Sequence, residues 1–82
     1  MMADNNIHKL RIKAGFTQAE LAQRAGVSVR MIQKYESGDR DILSAGLITC
    51  YRIAQALGCS VVDLIRKDIA VRINDDVIHP LE

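Results

Sequence analysis

Apolar residues recur at a spacing near 3.6 along the first 67 residues, and glycines interrupt this pattern several times. Ile7, Leu10 and Ala14 fall on one side of a first predicted helix. We expect that helix to end at Gly15, because glycine readily adopts the left-handed conformation that follows many helices. A chain of short amphipathic helices is the fold class that this pattern predicts.

A second helix is predicted from a capping box, the sequence Thr17-Gln-Ala-Glu20. The Thr17 hydroxyl can accept from the amide of Glu20, whose carboxylate can reach back to the Thr17 amide. The helix should therefore begin at Gln18 and end at Gly26. Its predicted buried residues are Leu21, Ala22 and Ala25.

Ser28 is a favourable N-cap for a third helix, from Val29 to about Glu36. Helical spacing places Ile32 and Tyr35 on its buried side. The opposite side carries the polar residues Arg30, Gln33 and Lys34.

The later elements are predicted less sharply by local signals. Residues 39–43 read as a loop or a single turn, and a fourth helix, capped by Ser44, is expected to run to Leu57. Ser60 and Asp63 have the spacing of a capping box for a short fifth helix. The predicted buried side of the fourth helix carries Leu47, Cys50, Ala54 and Leu57.

The pattern changes after Lys67, where Ile69, Val71 and Ile73 alternate with other residues at a period of two. This alternation predicts a β-hairpin or a single strand. We therefore divide the chain into a helical domain, residues 1–67, and an acidic, β-prone tail, residues 68–82. Because isolated hairpins are marginally stable in water, the tail is a candidate dimerisation element. The alternatives are a tail that packs on its own helices and a disordered tail.

Composition and charge narrow the possibilities further. The 82 residues allow one small domain, and 49% hydrophobic and 26% charged residues are ordinary for a globular protein. Charge is unevenly distributed: residues 1–35 carry six basic and two acidic residues, whereas residues 36–82 carry five basic and eight acidic ones. This asymmetry suggests one face for a polyanion and another turned away from it.

The sequence lacks the residue patterns that are typical of metal binding and of catalysis. Cys50 and Cys59 form no Cys-x-x-Cys pair, and His8 and His79 lie at opposite ends, so neither a metal site nor a catalytic group is indicated. No nucleophile elbow, glycine-rich phosphate loop or carboxylate pair is visible. We expect no enzymatic activity, no cofactor and no metal. No membrane span or signal peptide is recognisable, so a cytoplasmic location is expected.

Two short helices joined by a tight link at residues 25–28 have the sequence form of a helix-turn-helix. The segments FTQAELAQRAGVS, IQKYESG, IAQALG and VDLI, in this order, resemble the phage repressor and Cro type of helix-turn-helix domain, the XRE-like family. The resemblance covers residues 7–66. It implies an all-α, five-helix, lambda-repressor-like domain that binds double-stranded DNA, usually as a homodimer, with its third helix in the major groove.

The resemblance also implies roles for individual residues. Base-contacting positions correspond to Val29, Arg30, Gln33 and Lys34, although Lys34 could instead contact phosphate. Phosphate-contacting positions correspond to Thr17, Gln18, Ser37 and Arg40. Arg11 and Glu36 match an ion pair between the first and third helices. The segment after Gly38 is longer than in compact phage repressors, by about one helical turn.

Two functional hypotheses follow. The first is a dimeric, sequence-specific regulator of prokaryotic or phage type, in particular a repressor, without a membrane or small-molecule partner. The second is a protein-interaction or antitoxin-like module that kept the helix-turn-helix fold. Polar and basic residues on the third helix favour the first hypothesis, because a protein-binding surface would be expected to be more apolar there.

Overall fold

The computed structural model describes residues 5–65, which form five α-helices and one short 3-10 helix, with no strand among them. The helices are α1 (Ile7–Ala14), α2 (Gln18–Ala25), α3 (Val29–Ser37), α4 (Leu47–Leu57) and α5 (Val61–Ile65), and the 3-10 helix is Ile42–Ala45. The all-α prediction is confirmed for this part of the chain. The predicted strand or hairpin in the tail lies outside the described residues, as does the proposed boundary between the helical domain and the tail.

The predicted helix starts are formed by side-chain caps. Thr17 Oγ1 accepts from the Glu20 amide at 3.0 Å, and Glu20 Oε1 accepts from the Thr17 amide at 2.8 Å. Ser28 Oγ accepts from the amide of Met31 at 3.1 Å. These bonds satisfy amides that a helix leaves unpaired at its N-terminus, and they fix the starts of α2 and α3.

The tight link between α2 and α3 depends on Gly26, which has a φ of +72°. This left-handed conformation lets the amide of Val27 donate to Ala22 O at 3.0 Å and so close the end of α2. A side chain at position 26 would strain the backbone. The link therefore sets the angle at which α3 leaves α2.

The core lies where α2 packs against both α3 and α4. Leu21, Ile32 and Ile53 have no solvent exposure, and Tyr35 has 1%. The remaining buried hydrophobic residues are Ile7, Ala22, Ala25, Ile42, Cys50, Ala54 and Leu64. Because α3 contributes Ile32 and Tyr35, one side of this helix is anchored and the other is free.

Two asparagines fix the start of α1. Asn5 is 7% exposed, and its Oδ1 accepts from the Ile7 amide at 2.9 Å while its Nδ2 donates to Tyr35 O at 3.1 Å. The Asn6 amide donates to Leu64 O at 2.8 Å. The start of α1 is thereby tied to the ends of both α3 and α5. Neither asparagine is among the residues for which the sequence predicts a structural role.

The predicted start of α4 was wrong. Gly46, not Ser44, precedes the helix, and it provides no side-chain cap. Ser44 belongs to the 3-10 helix, where its Oγ donates to Asp41 O at 2.6 Å. Asp41 Oδ1 caps this element by accepting from the Leu43 amide at 3.0 Å. The additional residues after Gly38 thus form a separate capped turn.

Two predicted buried positions are exposed. Leu47 is 73% exposed, because the buried stripe of α4 is centred on Cys50, Ile53 and Ala54, and the first residue of the helix falls at its edge. Ala14 is exposed at the end of α1. It lines an open groove of about 490 Å³ that also borders Leu10 and Leu57.

Candidate nucleic-acid interface

The exposed side of α3 carries the residues that the sequence analysis assigned to base contacts. Arg30 and Gln33 are exposed, Val29 is 39% exposed, and Lys34 is half-buried. All four lie on the outward side of α3 because Ile32 and Tyr35 anchor its opposite side in the core. The structure therefore brings these four side chains to a single, rigidly held helix face.

The start of α2 supplies Thr17 and Gln18, the positions assigned to phosphate. Thr17 Oγ1 accepts a hydrogen bond from the Glu20 amide. Hydrogen bonds from the Thr17 backbone and hydroxyl lower the pKa of Glu20. The capping carboxylate therefore stays ionised and keeps the helix start ordered.

Arg11 and Glu36 form a nearly buried ion pair between α1 and α3. Arg11 Nε lies 2.6 Å from Glu36 Oε2, and Arg11 Nη2 lies 3.0 Å from Glu36 Oε1. Their side chains are 9% and 6% exposed, respectively. Arg11 Nη1 also donates to Phe16 O at 2.7 Å, so the guanidinium joins α1, the loop before α2, and α3.

Glu36 Oε1 also accepts from two side chains that the sequence analysis did not connect to it. Gln18 Nε2 donates to this oxygen at 3.1 Å. His8 Nδ1 lies 3.1 Å from Glu36 Oε1 and 3.2 Å from Arg11 Nη2. Protonated Nδ1 can donate to Glu36, and unprotonated Nδ1 can accept from Arg11. The i, i+3 spacing of His8 and Arg11 on α1 was the one signal available in the sequence.

The hydrogen bonds at Glu36 determine its charge. Burial raises the pKa of this carboxyl, but the hydrogen bonds from Arg11, His8 and Gln18 outweigh burial and hold the pKa below its ordinary value. Glu36 is therefore ionised and its charge is offset by Arg11. A carboxylate so close to the start of α2 consequently adds little negative charge to the surface.

The basic residues near α3 are free of carboxylate partners. Within residues 5–65, every ion pair involves Glu36, so Arg30, Lys34 and Arg40 form none. Arg40 is exposed, and its amide donates to Lys34 O at 3.1 Å, which holds the loop against the end of α3. The surface around α3 therefore carries these three cations, and the exposed Asp39 and Asp41 flank Arg40 in sequence.

A known protein family covers most of this chain. The family model described as helix-turn-helix matches residues 7–64, which span all but the last residue of the five helices. The chain belongs to the XRE-type helix-turn-helix family. A protein of Sinorhizobium fredii named "Uncharacterized HTH-type transcriptional regulator y4dJ" is 38% identical over 64 residues, which cover 78% of this chain and 79% of that protein.

Within this helix-turn-helix chain, the motif itself consists of α2, the link at Gly26 and α3. Ser37 ends the motif: its Oγ donates to Lys34 O at 3.1 Å and accepts from the Asp39 amide at 3.3 Å. The only hydroxyl hydrogen of Ser37 is thus already used. To donate to a phosphate, the Ser37 hydroxyl would have to break its hydrogen bond to Lys34 O.

The described part of this helix-turn-helix chain offers few groups for metal binding, membrane insertion or thiol chemistry. Residues 5–65 contain no group of three potential metal ligands and no helix long and apolar enough to cross a membrane. Cys50 and Cys59 are free thiols. Burial raises the pKa of both, and Asp63 raises that of Cys59 further, so both stay protonated.

Proposed function

We propose that this protein is a sequence-specific, DNA-binding transcriptional regulator that lays α3 in the major groove. The observation that carries the proposal is the exposed face of α3, where the unpaired cations Arg30 and Lys34 stand beside the capped start of α2. The name of the Sinorhizobium fredii relative points in the same direction.

Base recognition is assigned to the outer side chains of α3. Arg30 can present two donors to guanine O6 and N7, a contact worth about 1–3 kcal/mol of discrimination. Gln33 can pair with adenine through its amide, and Val29 can contact a thymine methyl group. Lys34, half-buried and nearer the end of α3, can reach either a base or a phosphate.

Phosphate binding is assigned to the two ends of the motif. Thr17 is the N-cap of α2, and Gln18 Nε2 has a second hydrogen besides the one donated to Glu36. Both stand at the N-terminus of α2, where the helix dipole and first-turn amides favour an anion. Arg40 supplies a cation beyond the end of α3, and Ser37 is the last residue of that helix.

A dimer acting as a repressor fits these assignments. One helix reads only a few base pairs, so two half-sites about one turn of DNA apart require two copies of α3. Repression needs no further domain, because a dimer that occupies a promoter excludes other proteins. Such a regulator acts in the cytoplasm on bacterial or phage DNA, with residues 1–67 as the DNA-binding domain and residues 68–82 as its acidic tail.

The protein-interaction alternative is less well supported by α3. Of its exposed residues, Val29 is the one large hydrophobic side chain, and it is 39% exposed. Arg30, Gln33 and Ser37 are polar and exposed. This composition matches a groove of DNA better than an apolar protein surface.

Selection of duplexes from a random pool, followed by footprinting and a salt titration, tests the proposal. We expect one enriched sequence with two related half-sites. Each neutralised phosphate should contribute roughly −0.9 to the log–log dependence of the binding constant on salt. Absence of any enriched duplex, or binding that does not change with salt, would overturn the proposed function.

A further inference from the structure

Four large hydrophobic side chains are strongly exposed around the start of α4. Their exposed fractions are 65% for Leu43, 73% for Leu47, 64% for Ile48 and 52% for Tyr51. Isolated exposed hydrophobic residues are common, but a cluster of large ones usually marks an interaction site. This cluster is not used by the proposed DNA contacts.

The four residues form a continuous stretch of the fold. Leu47, Ile48 and Tyr51 share one side of α4 through their i, i+3 and i, i+4 spacing, and Leu43 flanks them in the preceding 3-10 helix. We call this surface the α4 apolar face. By contrast, the other exposed large hydrophobic residues of the described chain are dispersed on three different helices: Ile12, Val29 and Val62.

The start of α4 is connected to the end of α3 through the intervening loop and the 3-10 helix. The Arg40 amide donates to Lys34 O, which holds the outgoing loop against α3. Ile42 is then buried, and its carbonyl accepts a hydrogen bond from Cys50 Sγ at 3.4 Å. This chain of contacts connects the last turn of α3 to the first turns of α4.

We propose that the α4 apolar face binds the same face of a second copy of this chain, forming a two-fold dimer. The proposal deepens the proposed function and rests on it, because reading two half-sites requires two copies of α3 in a fixed relation. A two-fold interface uses one surface twice, so this surface must be complementary to itself. An apolar strip meets this requirement, because apolar side chains pack against one another without directional partners.

The charges around the α4 apolar face are arranged for antiparallel pairing with itself. Asp39 and Asp41 precede the face, and Arg52 follows it as the one charged residue of α4. All three are exposed and, within residues 5–65, form no ion pair. Antiparallel α4 helices would bring Asp41 of one copy towards Arg52 of the other, whereas parallel helices would bring like charges together.

The first test measures the mass of the full chain by sedimentation equilibrium over a range of concentrations. We expect the natural sequence to dimerise and Ile48→Glu to raise the dimer dissociation constant at least about tenfold, because each copy would bury a charge. Ile12→Glu is the matched control, since Ile12 is 56% exposed on α1. Circular dichroism shows that both variants fold. Equal dimerisation of both variants would overturn the proposal.

The second test locates the contact directly. In a Cys59→Ser background, Ile48→Cys should form an oxidised, covalently linked dimer, whereas Ile12→Cys should not. Deletion of residues 68–82 separates the tail from the α4 apolar face. If deletion abolishes the dimer while Ile48→Glu leaves it intact and Ile48→Cys does not link, the tail is the interface and the proposal is wrong.

Failure of this inference and failure of the proposed function are distinguishable. A chain that is monomeric at every concentration but still selects a duplex overturns the dimer proposal and leaves DNA binding intact. A chain that dimerises through the α4 apolar face and selects no duplex supports the interface and overturns the proposed function.

Discussion

Gln18 Nε2 donates to Glu36 Oε1 at 3.1 Å and thereby joins the first residue of α2 to the last turns of α3. The residue proposed to hold DNA backbone is thus connected to the helix proposed to read bases. Since Glu36 is itself fixed by Arg11, movement of one element is transmitted to the others. In the proposed complex, the position of α3 on DNA would consequently depend on side chains that lie outside the groove.

Replacing Gln18 with alanine should weaken binding to all duplexes by a similar amount. The lost phosphate bond is worth on the order of 1–3 kcal/mol, since the acceptor is charged. Binding isotherms on the selected site and on unrelated duplexes measure the effect, and Gln23→Ala, on the exposed side of α2, is the control. A loss confined to the selected site would contradict the phosphate assignment.

Arg30→Ala should instead reduce discrimination at one or two base pairs, by about 1–3 kcal/mol, because it removes a two-donor contact to a base edge. Affinities for single-base variants of the selected site measure this effect. Lys13→Ala, which removes an exposed cation from α1, should leave discrimination unchanged. An unchanged preference in Arg30→Ala would show that the base-reading face is assigned incorrectly.

Removing one member of the Arg11–Glu36 pair should be strongly destabilising. Arg11→Ala leaves a nearly buried carboxylate without its cation, which costs about 3–5 kcal/mol. Urea unfolding gives the value, and exposed Lys13→Ala should change stability by under about 0.5 kcal/mol. In a double-mutant cycle with Glu36→Gln, strictly additive losses would show that the two residues are not coupled.

Stability should decrease as the pH falls through the acidic range. The pKa of Glu36 is lower in the folded chain than its ordinary value of 4.5, so the unfolded chain binds the proton first. The stabilisation is complete above about pH 4.5 and is lost as the pH approaches the folded-state pKa. Urea unfolding at several pH values should show a weaker dependence in Glu36→Gln. Identical pH profiles would contradict this role.

Asn5 should stabilise the fold through two separable bonds. Asn5→Ala loses both the cap to the Ile7 amide and the buried bond to Tyr35 O, at a cost of about 1–3 kcal/mol. Asn5→Ser can retain a cap and should recover part of the loss. Thermal or urea unfolding compares them with Lys9→Ala, an exposed change on α1. Equal losses in the two Asn5 variants would show that the cap contributes nothing.

Local signals predicted most of the helical order. The Thr17–Glu20 box and the Ser28 cap act within three residues of the helix they start, so the sequence alone contains the whole interaction. Ser44 is a serine like Ser28, but no α-helix starts directly after it. Ser44 instead lies inside a 3-10 turn that Asp41 caps. Residue type therefore predicts a cap only where no neighbour competes for it.

The connections among helices were predictable only in part. The Arg11–Glu36 assignment came from resemblance to a family, whereas the bonds of Glu36 to Gln18 and His8 depend on how three helices meet. Helical spacing likewise could not show that Leu47 lies beyond the core, because this depends on where α4 starts. These features arise from packing between segments distant in sequence.

The 3-10 helix at Ile42–Ala45 has a geometric consequence for the proposed dimer. It determines how far the α4 apolar face stands from α3, and therefore the separation and tilt of the two reading helices across the two-fold axis. Insertions or deletions in this turn would change the number of base pairs between half-sites without altering which bases each half-site contains. In the proposed dimer, the spacing of the operator and its sequence would thus be specified by different parts of one short chain.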